Sequence, residues 1–286
     1  MKWLKILPVL GLLSFFACSA FTQTPPKPLI IGSTDEIDSK ALGEKRTLDI
    51  YLPDDYSEND SSKYPVIYLL DGGMDEDFIH VVGLVQFDTF PWVDRLPKSI
   101  VVGITNVDRR RDFTYPTTLD TEKKRNPTSG HSDKFIAFLE TELQPYIEKK
   151  YRGSGLRMLI GESLGGLLAT EILLKKPALF DKYVIISPSV WWDDGSSLKW
   201  PTDALKQLSR KTDIYLAAGK EGLAPTEKPH VMEVDANILA DKIRQVKNPN
   251  VSIFYDYLPQ EDHATIAHQA LMNAFRILDP KKDNKP

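Results

Sequence analysis

Five short apolar runs constrain this chain more than any other feature: Val66–Leu70 (VIYLL), Ile100–Ile104, Met158–Ile160, Tyr183–Ile186 and Ile214–Ala217. A strand with one wet face alternates apolar and polar residues. A strand buried on both faces does not, because both sets of side chains meet protein. Runs of this kind therefore call for a parallel sheet with helices packed on both sides. Helical stretches lie between them. Ser132–Lys149 carries Phe135, Ile136, Leu139, Leu143 and Ile147 at i, i+3 and i+4 spacing, with Ser132 as its N-cap. Leu164–Lys176, Asp235–Val246 and Ala264–Leu278 behave similarly. Arg46–Leu52 (RTLDIYL) alternates, which suits a half-exposed antiparallel strand near the sheet edge, and Val251–Leu258 is the last strand. This order predicts a single three-layer α/β domain over 23–286, with a mostly parallel central sheet and antiparallel strands only at the start. Residues 53–63 read as a polar loop, and 281–286 as a charged tail expected to fray.

Residues 1–22 read as an export signal rather than part of the fold. Lys2 and Lys5 form a basic start, Ile6–Ala17 is apolar, and the small residues Ala17, Ser19 and Ala20 follow. As a helix that run spans about 18 Å, short of the roughly 30 Å of hydrocarbon that a transmembrane helix crosses. The only cysteine, Cys18, ends the run. It is either the lipid-bearing residue of a lipoprotein signal, with Phe15-Phe16-Ala17 a poor lipobox, or it is discarded by cleavage after Ala20. The expectation is an exported chain, periplasmic or secreted, with Cys18 as the candidate membrane anchor. One cysteine excludes an internal disulfide and a multi-cysteine zinc site. At 42% hydrophobic and 27% charged, with a net charge of −4 and both signs spread along the chain, the composition is globular and offers no basic arm for nucleic acid. It does not fix an oligomeric state.

Gly161-Glu162-Ser163-Leu164-Gly165 is G-x-S-x-G, set between a predicted strand and a predicted helix. That context is the nucleophile elbow, a tight turn that strains the serine backbone and needs nearly bare neighbours, which Gly161, Gly165 and Gly166 provide. A serine nucleophile needs a base, and on this architecture the base follows the last strand. His263 fits, with His268 in the following helix as runner-up. His80 and His131 precede the serine, the wrong order for this elbow, and His230 has no feature to recommend it. The orienting acid should follow the strand before the histidine. Glu221, two residues after Gly219, is preferred. Asp193 and Asp194 are rivals, Asp235 and Asp256 poorer fits, and a bare Ser–His pair stays open. Two backbone N–H groups should form an oxyanion hole: that of Leu164, and one from Asp71-Gly72-Gly73-Met74, with Gly73 preferred and Met74 the alternative.

The segments YPVIYLLDGG, VGITNVDRRRDFTYP, GESLGGLLATEILLKKPALFDKYVIISPSVWW and EDHATIAHQALMNAF resemble the putative-esterase branch of the α/β-hydrolase superfamily over roughly residues 30–278. SPSVWW and Arg-x-Arg-Asp point to its siderophore-esterase-like subgroup, the trilactone esterases. The resemblance implies an α/β-hydrolase sandwich with a Ser163–His263 pair, Glu221 as acid, and oxyanion donors at Gly73 and Leu164. It also implies a serine carboxylic ester hydrolase acting through an acyl-enzyme on a small-molecule ester, without metal or cofactor. The alternatives are an acyltransferase using the same residues and a non-catalytic binder on a hydrolase scaffold. Arg109 is read in two ways: facing an anionic ligand such as an iron–catecholate complex, or anchoring its loop through Asp108 and Asp112. Trp191 and Trp192 either wall an acyl or aromatic site or pack the core.

Overall fold

The computed structural model describes residues 26–57, 59 and 61–280. The export segment with Cys18 and the tail 281–286 lie outside the described residues. Residues 26–30 are exposed coil, and the compact unit begins at Ile31.

Among the described residues, eight strands form one sheet: β1 Ser33–Ser39, β2 Glu44–Tyr51, β3 Tyr64–Leu69, β4 Ile100–Ile104, β5 Gly153–Glu162, β6 Lys182–Ile186, β7 Thr212–Gly219 and β8 Val251–Leu258. Their order is β1-β2-β4-β3-β5-β6-β7-β8. The β1–β2 and β2–β4 pairs are antiparallel and the remaining pairs parallel. The five uninterrupted runs occupy the central parallel strands. Along them, alternate residues part to opposite faces, as the two-residue period of a strand demands. Ile67, Leu69, Met158 and Ile160 face one layer, while Val66, Tyr68 and Leu159 face the other.

The helices are α1 Phe78–Thr89, α2 Arg109–Phe113, α3 Asp120–Arg125, α4 Ser132–Phe138, α5 Gln144–Tyr151, α6 Leu164–Lys175, α7 Trp192–Gly195, α8 Asp203–Lys206, α9 Met232–Arg244 and α10 Ile266–Leu278. α1 and α10 cover the first face, with Val81, Val85, Leu271 and Phe275 in its core. α4, α5, α6 and α9 cover the second, through Phe135, Ile147, Leu168 and Leu239. The result is the three-layer α/β sandwich that the runs demanded.

Three local expectations are corrected. β2 is antiparallel and lies next to the sheet edge, as expected, but it is not half-exposed: β1 pairs along its outer side, and Leu48, Asp49, Ile50 and Tyr51 are buried. β1 (STDEIDS) is too polar to register as a strand by hydrophobic pattern, and its side chains mostly face solvent. The helix expected over 132–149 is α4 and α5 joined by a π-helical turn at Leu139–Leu143. Pro145, just beyond that turn, lacks an N–H and its ring opposes the carbonyl four residues back, so a wider turn accommodates it. Ser132 is the first helical residue rather than the cap. Its N–H donates to the Thr114 carbonyl at 3.1 Å and its hydroxyl is buried without a partner.

Candidate active site

The carboxyl ends of the parallel strands carry the reactive side chains. β5 ends at Glu162 and α6 starts at Leu164, leaving Ser163 alone at the bend with φ 55° and ψ −116°. A non-glycine residue at positive φ is strained and persists only when its surroundings over-determine it. Here they do. Its N–H donates to the Ile186 carbonyl at 3.0 Å, and its own carbonyl accepts from Leu167 and Ser189, each at 2.9 Å. The bend is so tight that a Cβ on Gly161 would lie 2.5 Å from the Gly165 carbonyl oxygen.

His263 lies between β8 and α10, where the chain turns back over the strand ends. Its Nε2 is 3.0 Å from Ser163 Oγ and its Nδ1 is 2.7 Å from Glu221 Oε2. Glu221 follows β7, and its side chain is 1% exposed. Its other oxygen accepts from the Ser187 hydroxyl and, at 3.1 Å, from Gly219 N–H. Burial pushes the Glu221 carboxyl up, but the hydrogen bonds from His263 and Ser187 outweigh it and the net shift is downward. The bond to Glu221 raises the His263 imidazole above its ordinary value, against the opposing effect of burial. The two shifts agree: each group favours the other's charged form. Beside them, burial and the charge of Asp77 push the Glu162 carboxyl up to about 7.

The rival acids, and the histidines His80, His230 and His268, are engaged elsewhere. Asp193 accepts from Thr117 and Thr118. Asp194 binds Lys228 and, with Asp235, brackets His230. Asp256 accepts from Tyr215 and Asn273. His268 pairs with His80 at 2.7 Å across stacked rings.

Ser163 and His263 open onto a cavity of about 510 Å³ that Leu164, Ser189, Trp191 and Leu223 help to line. Leu164 N–H, first in its helix, has no intrahelical partner and is free for a ligand. Gly73 differs from expectation. Its N–H donates to Glu76 Oε2 at 2.8 Å, because the side chain three residues on folds back over the turn, and Asn106 holds the other oxygen at 2.5 Å. Gly73 and Met74 are not among the residues lining the cavity.

Arg109 borders the cavity, but its fork is occupied by Asp71, at 2.6 and 2.8 Å, and by the Glu162 carbonyl at 3.3 Å. It anchors the base of the elbow rather than its own loop. Asp108 instead caps α2 through Arg111 N–H, and Asp112 binds Arg46 and Arg111. The more exposed cations at the cavity are Arg110, bound to Asn126, and Arg125, bound to the Pro225 carbonyl at 3.1 Å. Trp192 also borders the cavity, but it is 2% exposed and donates to the Tyr115 carbonyl at 2.9 Å, which packs it into the core. Trp191 lines the cavity with its indole N–H buried and unpartnered. Sequence reasoning missed Ser187, Ser189 and Glu162. The two serines lie in the SPSVWW segment, but nothing in their spacing states what they touch. Among the described residues no three His, Cys, Asp or Glu side chains are grouped to hold a metal ion.

The chain matches the Esterase family model, described as "Putative esterase", over residues 39–263. Ferri-bacillibactin esterase BesA of Bacillus subtilis (strain 168) is 33% identical over 257 residues, 82% of this chain and 85% of that protein. The structure of an IroE-like serine hydrolase from Shewanella oneidensis superposes with a TM-score of 0.76 at 30% identity, covering 87% of this chain and 80% of that one. The BES protein of Bacillus cereus superposes with a TM-score of 0.76 at 26% identity, covering 91% and 100%. With the family model matched over most of its length and a relative of this identity along four-fifths of it, the chain belongs to the Putative esterase family and is a carboxylic ester hydrolase of α/β-hydrolase fold.

Proposed function

We propose that this esterase works through an acyl-enzyme on Ser163, with His263 as base and Glu221 as orienting acid, and that its substrate is a siderophore-type ester. The observation that carries the reading is the unbroken chain from Glu221 Oε2 to His263 Nδ1 at 2.7 Å and from Nε2 to Ser163 Oγ at 3.0 Å. His263 takes the serine proton as Oγ attacks the ester carbonyl, then returns it to the leaving alcohol. Water, activated by the same imidazole, releases the acid and restores Ser163. Leu164 N–H stabilises the oxyanion. Gly73 N–H serves as the second donor only once Glu76 has left it. The substrate class is supported by the name of the relative at 33% identity, an esterase of ferri-bacillibactin, and by Trp191 beside Arg110 and Arg125 at the cavity, which suit an aromatic, anionic ligand.

Ser163→Ala should leave the fold intact and lower kcat by about 10⁶, as in comparable triads. Activity within tenfold of wild type, assayed beside a screen of p-nitrophenyl, feruloyl and ferric trilactone esters, would sink the assignment. We also propose that residues 1–22 direct export and that Cys18 is the residue on which any membrane attachment depends. Cell fractionation of Cys18→Ser should move the mature protein from membrane to soluble fraction, and equal solubility of both forms would refute the anchor.

A further inference from the structure

β6 leaves the sheet between the strand that delivers Ser163 and the strand that delivers Glu221, and its exit touches both. The Ile186 carbonyl accepts Ser163 N–H at 3.0 Å, and Ser189 N–H donates to the Ser163 carbonyl at 2.9 Å. Both backbone polar groups of the strained serine are thus held from one turn. Between these contacts sits Ser187, 2% exposed, with its N–H on the Ala217 carbonyl of β7 at 2.8 Å. Ser187 is itself at φ 43°. Glycine would relieve that conformation but would lose the hydroxyl.

The hydroxyl has a specific partner. It donates to Glu221 Oε1, which also accepts from Gly219 N–H at 3.1 Å. Oε2 is then the oxygen presented to His263 Nδ1, at 2.7 Å. The last torsion of a glutamate side chain is broad, so an unanchored carboxylate would not present one oxygen in one direction. Pro188 keeps the turn from sliding. It packs on α6, where a Cβ on Gly166 would lie 3.0 Å from Pro188 Cα and from the Ile186 carbonyl oxygen.

We propose that Ser187 is a positioning residue that pins one oxygen of Glu221 so that the other faces His263, and that the 186–189 turn thereby sets nucleophile and acid at one spacing. The proposal rests on the triad assigned above and adds what holds it. Ser187→Ala should lower kcat about 10- to 100-fold, the effect of losing a hydrogen bond to a charged group, with KM within about twofold. If the hydroxyl acts through Glu221, Ser187→Ala made on top of Glu221→Gln should cost less than about threefold more, because coupled residues are not additive. A Ser187→Ala kcat within about twofold of wild type, or an equal loss in the Glu221→Gln background, would overturn it. Should Ser187→Ala not fold, Ser187→Gly, which relaxes the positive φ, carries the same comparison. A second readout needs no turnover: in an NMR titration of His263, Ser187→Ala should drop the imidazole pKa towards about 6.5. An unchanged pKa overturns the positioning role whatever Ser163→Ala does to hydrolysis, so the two readings fail separately.

Discussion

At the scale of single residues, His263 is defined by two neighbours, Ser163 on one nitrogen and Glu221 on the other. Its pKa is raised by the bond to Glu221, and the base must be neutral to act. Activity should therefore fail on the acid side at a pH above the ordinary histidine value of about 6.5, as the imidazole takes up a proton. Glu221→Gln should lower that limb and cost about two to four decades of kcat. A pH profile of kcat/KM on one fast ester, wild type against variant, checks both. The same pair has a stability signature. The raised His263 contributes fully below about pH 6.5 and loses its contribution as pH rises through its folded value; the lowered Glu221 contributes above about pH 4.5 and loses it as pH falls through its own. The wild-type advantage in Tm over Glu221→Gln should therefore be largest between about pH 4.5 and 6.5 and shrink on either side.

At the scale of elements, the site depends on how closely β4 passes the turn after β3. A Cβ on Gly103 would lie 2.1 Å from the Gly72 carbonyl oxygen and 2.7 Å from the Phe78 ring. That approach sets the Asp71–Gly73 turn, and Asp71 in turn grips Arg109, which reaches the Glu162 carbonyl beside the nucleophile. Gly103→Ala should therefore destabilise by about 1–3 kcal/mol or more, as overpacking does, and should damage activity even where the protein still folds. Gly83, exposed on α1 with open space at its Cβ position, is the control. Gly83→Ala should be stabilising by about 0.5–1 kcal/mol, since alanine is the better helix former. Urea denaturation midpoints of the two variants make the comparison.

At the scale of the whole molecule, a buried ion pair joins the antiparallel start of the sheet to the segment bordering the cavity. Arg46 on β2 is 0% exposed and Asp112 on α2 is 1% exposed, with 2.6 Å between them. The guanidinium also donates to Glu44 at 2.9 Å and to the Thr105 carbonyl at 3.1 Å, and lies 5.3 Å from the Phe135 ring centroid. Removing one partner of a buried pair leaves the other charge under-compensated, so Asp112→Asn should cost about 3–5 kcal/mol. Replacing exposed Glu36, which pairs with Lys45 at the edge of the sheet, should hardly move the midpoint. Equal shifts in the two variants would show that the buried pair does not hold these parts together.

What the sequence by itself determined is what short-range chemistry can encode. Burial on both faces writes itself into an uninterrupted apolar run, so the parallel strands were legible, and a contiguous Gly-x-Ser-x-Gly between strand and helix is a local instruction for an elbow. His263 and Glu221 were legible as positions in the order of elements, not as contacts. Tertiary structure decided everything that depends on which groups meet across long stretches of chain. It brought Glu221, not Asp193 or Asp194, against His263. It tied Arg109 to Asp71, capped Gly73 with Glu76, and seated Ser187 on the acid. It also placed polar β1 at the edge, where backbone pairing with β2 builds a strand that no hydrophobic pattern announces. The reason is common to all of these: a hydrogen bond or ion pair is specified by two distant residues and the fold between them, and neither residue alone carries the address of its partner.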